Sequence, residues 1–547
     1  MSKIYSTDTD RRFPQNKTSL KQRFMPAPIV LVVLDGWGLS DAPTNIINQT
    51  ELPTFDILNN NYPMIALQAS GISVGLPWGD PGNSEVGHMT MGAGRIMYQS
   101  LPRISLSIQD GSFAKNPAII NLLENVKSRG GDLHIMSLVG DGAVHASRDH
   151  LYAMIQVAKD QGVDRVFIHC FTDGRDSFAK AAGDHVIAQI QEQLNKTGVG
   201  KIASFIGRNW AMDRNNNWDR IQKAYDMLVN AQGTLTSDPI TSIKQSYEND
   251  ITDEFLEAHL ITQDGQNPIA QIKNGDSLMF LNFRDDRAIQ ITKAFSLPGF
   301  DKFPRPELLD INFVTMMEYD SDLPVLVAFP PEEIYNSLGQ VLSAHEKHQL
   351  RITETEKYAH VTYFFNCGAE DPFPLEDRVL VPSPAVDKFD EKPEMSAYEL
   401  TNKLIGILQE KPYDFVVINY ANADMVAHTG NEAAAKVAIK VLDECMNKLV
   451  KHVLGSGGQM LITADHGNVE IMHNPQSGNM DTKHNTSPIP LWYLTPNNHR
   501  IKTAAQLAMQ EREIRGLLSD LAPTILEIMG LPKPPEMQGE SLLGALK

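Results

Sequence analysis

Cysteine is nearly missing from this chain, which has only Cys170, Cys367 and Cys445 among 547 residues. An odd, sparse set makes no disulfide framework and fits a reducing compartment. Long apolar runs are also lacking. None reaches the roughly 20 residues that span a bilayer, and the first 27 lack the apolar core of a secretory signal. Positive charge is in deficit: 48 Lys and Arg against 67 Asp and Glu leave a formal net charge of -19. That balance argues against nucleic acid and anionic membranes as partners. It leaves room for a small anionic substrate, because basic side chains can gather locally. The tripeptide Ala545-Leu546-Lys547 is not a peroxisomal address, so a cytoplasmic location is expected. Residues 1–28 read as a polar extension; a mitochondrial presequence is the rival reading, weakened by Asp8 and Asp10.

A chain of this length exceeds one hydrophobic core, so two domains are expected. Short apolar runs alternate with helical patterns almost throughout, the mark of α/β domains with mainly parallel sheets. Strands are predicted at about 29–34, 134–139, 165–171, 201–206, 277–283, 312–317, 414–419, 459–463 and 489–493. Amphipathic helices are expected around 149–160 and 218–229. The linkers fall at 99–101 and 325–331, the second ending in Phe329-Pro330-Pro331.

Chemistry-bearing residues lie at the two ends of the chain. Asp35 closes the run Ile29–Leu34. Asp465 and His466 close the run Met460–Ala464, and His484 follows. Asp424 and His428 would share a face if 422–427 is helical. With Ser84 in Gly82-Asn83-Ser84-Glu85-Val86-Gly87-His88, these make a hydroxyl, three carboxylates and three imidazoles. That is the donor set of a two-metal phosphoryl-transfer site. A carboxylate and imidazole mixture without thiolate suits Mn, Co or Zn better than Ca. Each piece alone has a plainer reading: Asp after a strand caps helices, and Ser84 could cap a helix beginning at Glu85. Since these residues fall before 100 and after 400, one shared site requires residues 29–98 and 332–547 to form one discontinuous domain. Residues 102–324 would then be inserted into it, and two linkers side by side would make a hinge.

The motifs resemble those of the cofactor-independent phosphoglycerate mutases, members of the alkaline phosphatase superfamily. The resemblance rests on Asp35-Gly36-Trp37-Gly38, the run 82–88 and Asp465-His466-Gly467-Asn468. In the middle it rests on 141–147, Thr172-Asp173-Gly174-Arg175-Asp176, Ile206-Gly207-Arg208 and 282–288. It continues through 354–362 to Met537–Leu542, leaving out only the N-terminal extension. It implies an alkaline-phosphatase-like α/β domain with a mainly parallel sheet, interrupted by a second, inserted α/β domain. It further implies interconversion of 3-phosphoglycerate and 2-phosphoglycerate in glycolysis and gluconeogenesis, through a phosphoserine and without 2,3-bisphosphoglycerate, by a monomer. Two divalent metal ions are implied, Mn2+ first, with Co2+ or Mg2+ as substitutes. Asp424, His428 and His484 would hold one, and Asp35, Ser84, Asp465 and His466 the other. Ser84 would be the nucleophile. His145, Arg175, Asp176, Arg208, Arg214, Arg284, Arg287 and Lys357 would contact substrate, with Asp176 and Lys357 as acid–base candidates.

Where the family usually shows Met-Asp-Arg-Asp, this chain has Met212-Asp213-Arg214-Asn215, which puts the surroundings of Arg214 in question. A metal-dependent phosphomonoesterase or a phosphopentomutase of the same superfamily is the alternative. A mutase needs more than a phosphatase does: it must retain its dephosphorylated product. Arginine suits that task because its planar fork grips phosphate and carboxylate bidentately. Arg284 and Arg287, three apart at an expected helix start, could grip one anion together. For His145 the plainer reading is a satisfied loop histidine.

Overall fold

The computed structural model describes residues 27–305, 311–474 and 477–547. Nearly all of the expected 1–28 extension therefore lies outside the described residues. The described chain forms two compact units, the described residues up to Gln99 with 333–547, and those within 100–332. Each is built on an eight-stranded sheet.

In the discontinuous unit the strand order is Glu376–Val381, Gln349–Glu354, Phe415–Tyr420, Ile29–Leu34, Gln459–Thr463, Ile489–Leu494, Met64–Gln68, Ile514–Leu517. All neighbours pair in parallel except Ile489–Leu494, which is antiparallel to both of its own. The strand Ile29–Leu34 is apolar at every position and wholly buried because helices cover both faces of a parallel sheet. Val33 pairs with Asn419 on one side and Thr463 on the other. The chain segments that follow these strands thus leave the sheet at one edge, the carboxyl edge where ligands of open α/β sheets gather.

In the second unit the order is Leu326–Phe329, Asn312–Met317, Ser277–Phe280, Leu133–Val139, Val166–Thr172, Lys201–Gly207, His259–Ile261, Thr234–Thr236. Pairing is parallel except between Lys201–Gly207 and His259–Ile261. The helices expected around 149–160 and 218–229 form as Arg148–Asp160 and Trp218–Asn230.

Three local expectations are corrected. The stretch 325–331, read as a linker, contains the edge strand Leu326–Phe329, whose Phe329 is buried and stacks on Phe113. Residues 99–101 are likewise not a free linker, since the helix Ser100–Gln109 starts there. The strand predicted over 277–283 stops at Phe280. Beyond it Asn282 turns its amide oxygen to Leu138 N at 3.0 Å, and its carbonyl accepts from Tyr319 Oη. Apolar residues thus continue past the point where ladder bonds give way to side-chain bonds.

Candidate active site

The discontinuous unit gathers its carboxylates by strand register. Asp35 follows Ile29–Leu34, and Asp465 lies two residues beyond Gln459–Thr463 on the adjacent strand. Asp424 comes from the short helix Asn422–Ala427 that follows Phe415–Tyr420, with His428 at its C-cap. Gly36 allows this crowding: its φ is +72°, and a Cβ there would meet Asp424 Cβ at 2.9 Å. Gly87 is similarly tight, with Asp465 O 2.8 Å from where a Cβ would sit. The helix Ser84–Ala93 is capped by Asn83, whose side chain accepts from Val86 N, so Ser84 is the first helical residue and not the cap.

Around Ser84 the contacts are dense. Its Oγ lies 3.2 Å from Asp35 Oδ1, 3.0 Å from His466 Nε2 and 2.9 Å from Lys357 Nζ. Lys357 Nζ also donates to Asp35 Oδ1 and Asp424 Oδ2, both at 2.7 Å. A few ångströms away, Asp424 Oδ1 stands 3.2 Å from both His428 Nε2 and His484 Nε2, and those two nitrogens are 3.0 Å apart. His466 stacks on His484 with centroids 3.8 Å apart and belongs to both neighbourhoods. The donor atoms of Asp35, Asp465 and His466 lie within 4.8 Å of one another, as do those of Asp424, His466 and His484.

Two observations fit these donors to cations. His428 Nδ1 lies 2.7 Å from Thr482 O and His484 Nδ1 2.9 Å from Gly82 O. Each Nδ1–H donates to a carbonyl, which turns the Nε2 lone pair inward, the usual outer support of a metal-binding imidazole. Asp465 Oδ2 is buried with no hydrogen-bond partner, a costly state for a carboxylate oxygen unless a cation completes it.

Electrostatics follow from crowding. Burial first, then Asp465, push the Asp35 carboxyl above its ordinary value, against the pull of Lys357. Burial acts the same way on Asp424, but Lys357, His428 and His484 outweigh it and hold the carboxyl well below the usual range. Burial would lower Lys357; Asp35, Asp424 and Asp465 overcome it and keep the amine firmly protonated. The bond to Asp424 raises His428, and for His484 the same carboxylate prevails over burial.

Several supporting residues escaped the sequence reading. Asn419 Nδ2 donates to Asp35 Oδ2 at 2.8 Å and lies 3.1 Å from His88 Nε2. His88 Nδ1 lies 2.8 Å from Ser84 O, and burial pulls this imidazole down to about 4, so it stays neutral. Asn468 Nδ2 donates to Asp424 Oδ1 at 2.8 Å. Glu470 Oε2 accepts from Gly38 N at 3.0 Å and Asn468 N at 2.9 Å, tying two motif loops together. His88 and Asn468 sat inside motifs already singled out. Asn419 had a weaker signal, the end of a strand, and Glu470 had none.

The second unit holds the arginines. Arg208, 2 % exposed, donates to Asp173 Oδ1 at 2.6 Å and Asp176 Oδ2 at 2.5 Å, with Nη2 3.2 Å from His145 Nε2. Asp286 collects Arg214 at 2.7 Å and Arg284 at 3.1 Å, and its Oδ1 is 3.7 Å from His145 Nδ1. Arg287 donates to Met212 O, and Arg175 pairs with Glu254. The expected helix start at Arg284 and Arg287 is corrected: the helix is Ile289–Ser296, and the pair lies in the loop and turn before it. Around Arg214, Asp213 Oδ1 accepts from Asn215 N and Asn217 N, so Asn215 takes part in this turn through its backbone. Burial, then Arg208, Arg214 and Arg175, lower Arg287, the mark of a crowded cationic group. Burial and Arg208 pull His145 down to about 4, and Arg208 keeps Asp176 ionised against the upward push of burial.

Residues 104–321 match the family model described as the BPG-independent PGAM N-terminus. The 2,3-bisphosphoglycerate-independent phosphoglycerate mutase of Moorella thermoacetica is 48 % identical, covering 94 % of this chain and 98 % of that protein. Those of Clostridium botulinum and Francisella philomiragia are 46 % and 44 % identical, over 94 % and 95 % of this chain and 99 % of each. The crystal structure of Leishmania mexicana phosphoglycerate mutase at low cobalt concentration superposes with a TM-score of 0.51 at 28 % identity, covering 95 % of this chain and 98 % of that one. With near-complete overlap at this identity, the chain belongs to the 2,3-bisphosphoglycerate-independent phosphoglycerate mutase family.

Proposed function

We infer that this chain interconverts 3-phosphoglycerate and 2-phosphoglycerate through a phosphoserine at Ser84, without 2,3-bisphosphoglycerate. The observation that carries the mechanism is the Ser84 hydroxyl, buried at the start of a helix with Lys357, His466 and Asp35 within 3.2 Å of its oxygen. A helix N-terminus offers backbone N–H donors and a positive dipole end to a phosphorylated side chain. Two divalent cations, Mn2+ in this reading with Co2+ or Mg2+ as substitutes, would be held by Asp424, His428 and His484 and by Asp35, Ser84, Asp465 and His466. Such ions, when bound, neutralise phosphoryl oxygens and make a serine alkoxide available near neutral pH.

In the forward half, Ser84 Oγ bonds to phosphorus as the bond from phosphorus to substrate O3 breaks. The proton given up by Ser84 ends on O3. In the return half, glycerate O2 attacks phosphorus, the bond to Ser84 Oγ breaks, and the proton from O2 returns to Ser84. One phosphoryl group moves from O3 to O2, and nothing is consumed. Lys357, whose Nζ lies 2.9 Å from Ser84 Oγ, is assigned as a charged donor to Ser84 and the phosphoryl oxygens. Asp176, held ionised, is the proton carrier we assign to the glycerate hydroxyls. His145, Arg175, Arg208, Arg214, Arg284 and Arg287 are assigned to the substrate's anionic groups. The discontinuous domain thus takes phosphoryl transfer, and the inserted domain takes the grip on glycerate.

The deciding experiment is an assay of 3-phosphoglycerate conversion on metal-stripped protein, with Mn2+, Co2+, Mg2+ and Zn2+ added back separately. Full turnover with metal content measured at zero would overturn the two-cation reading. We also take the protein as a cytoplasmic monomer. Its three cysteines are free, and no helix among the described residues is long and apolar enough to cross a membrane. A sedimentation mass of twice the chain would overturn the monomer.

A further inference from the structure

In the second unit, the residues assigned to substrate follow the carboxyl ends of the strands. A separate group of ionisable side chains lies at the opposite edge. Asp132 precedes the strand Leu133–Val139, His134 is its second residue, and Asp276 precedes the neighbouring strand Ser277–Phe280. At about 3.3 Å per residue, that edge is some 20 Å along the strand from the other. None of the three is taken up by the mutase mechanism.

Their geometry is that of a ligand set. One donor atom from each of Asp132, His134 and Asp276 lies within 4.8 Å of the other two, and all three residues are buried. His134 Nε2 is 3.3 Å from Asp276 Oδ2. A tetrahedral zinc ion with bonds of about 2.0–2.1 Å has edges of about 3.3 Å between its ligands. His134 is 0 % exposed, and Nε2 makes no hydrogen bond of acceptable geometry despite that short approach. Asp132 Oδ1 also accepts no hydrogen bond; it faces Arg165 Nε at 2.5 Å, from a side chain 65 % exposed.

The support around the cluster is in place. His134 Nδ1 is 2.9 Å from His169 Nε2, and His169 Nδ1 is 2.7 Å from Ser204 Oγ. Read as donors from His134 outward, these bonds leave the Nε2 lone pair facing the carboxylates; read inward from Ser204 Oγ, they put a proton on Nε2 directed at Asp276, and a bound cation selects the first arrangement. Asp276 is held by two backbone donors, Asp132 N at 2.9 Å and Lys273 N at 2.7 Å. Imidazole and carboxylate oriented by such outer bonds are what metal centres use. In the outward arrangement the Nε2 lone pair faces two carboxylates, a repulsion that a cation between them relieves.

We propose that Asp132, His134 and Asp276 form a structural transition-metal site, zinc in class, that staples two neighbouring strands of the second unit at the edge remote from the residues assigned to substrate. A water would supply the fourth ligand. Imidazole with carboxylate donors favours Zn2+ or Co2+ over Mg2+ or Ca2+.

The test uses the full-length protein, stripped with chelator, dialysed against Zn2+ and analysed for bound metal. Wild type should retain one more equivalent of zinc per chain than Asp132→Asn. Loaded with Co2+, it should show a tetrahedral visible absorption component that Asp132→Asn lacks. Turnover after reconstitution with Mn2+ should be the same in both. Equal zinc counts and identical cobalt spectra would overturn the site and leave a hydrogen-bonded sheet edge, with a proton on His134 Nε2. Should Asp132→Asn fail to fold, Arg165→Ala decides, because it removes an exposed competing cation and keeps all three ligands. Chelator competition should then show the extra zinc equivalent bound several-fold more tightly, and an unchanged curve would overturn the proposal.

Discussion

The Ser84 cluster and the Arg208–Asp286 cluster are built on different terms. Around Ser84 the groups, His428 and His484 apart, are buried, come from segments hundreds of residues apart, and are held by strand register and outer bonds such as Asn419 to Asp35. Around Asp286 the side chains of Arg214 and Arg284 are both 48 % exposed and bonded to a carboxylate beside them. Burial makes the first cluster costly to assemble and rigid, which suits bond-making at a fixed phosphorus. Exposure leaves the second cheap to rearrange, which suits holding a small acid while its two hydroxyls are exchanged. Arg208, His145 and Asp173 are the exceptions in that cluster: they are buried, and Arg208 is tied to Asp173 and Asp176.

This contrast can be broken in order of effect. Ser84→Ala should abolish isomerisation and the phosphoenzyme while leaving the fold intact. Rapid quench and phosphopeptide mapping of wild type should place phosphate on Ser84, and a phosphohistidine would point to an unrelated mechanism. Chelation should remove turnover almost as completely, with recovery on adding Mn2+ or Co2+. Metal affinity should also fall as pH drops. Asp424 raises the pKa of His428 and His484, so protons compete for their nitrogens from a pH above the ordinary imidazole range of about 6.5. An affinity flat between pH 8 and pH 6 would contradict that ligand assignment.

Asn419→Ala should weaken metal binding by about 10–100-fold, as outer-bond losses do. The readout is the Mn2+ concentration giving half-maximal turnover; an unchanged value would mean that Asp35 is positioned by its strand alone. Arg284→Ala or Arg287→Ala should have the smallest effect. A lost charge-assisted contact of about 1.5–3 kcal/mol lowers isomerisation by roughly tenfold or more. Hydrolysis of p-nitrophenyl phosphate should fall less, so the ratio of hydrolysis to isomerisation rises. A parallel fall in both would erase the division of labour between the two clusters.

The Ser84 cluster was the more legible of the two in the sequence. Asp35 and Asp465 each end an apolar run, and that pattern alone places a carboxylate at a sheet edge. Asp424 and His428 share a helical spacing, and the helix Asn422–Ala427 forms. What periodicity could not give was the far partner. Lys357 enters the cluster from the short turn Thr355–Lys357 after an all-buried strand, which marks no direction for its amine. Glu470 bonds two backbone N–H groups, one of them more than four hundred residues away, and nothing local announces that. In the second unit the arginines were visible but their partners were not. Asp286 lies in the run 282–288 with no local sign of its role, and the fold shows it collecting two guanidinium groups. Strand ends were misread where side chains took over from the ladder, as at Asn282.

The central position of the Ile29–Leu34 strand has a consequence for synthesis. Its neighbours on both sides, Phe415–Tyr420 and Gln459–Thr463, lie nearly four hundred and more than four hundred residues downstream. At about 5–20 residues per second, a ribosome delivers the first of them roughly 20–80 s later. Through that interval the most apolar strand of the sheet has no partner, while residues 100–332, contiguous in the chain, can already fold. The emerging polypeptide therefore carries an adhesive stretch ahead of a finished globule, the situation in which holding chaperones matter most. Ribosome-stalled chains ending near residue 350 should be cut rapidly by protease around 29–34 and resist it across 100–332. Equal resistance in both regions would show that the strand finds shelter before its partners exist.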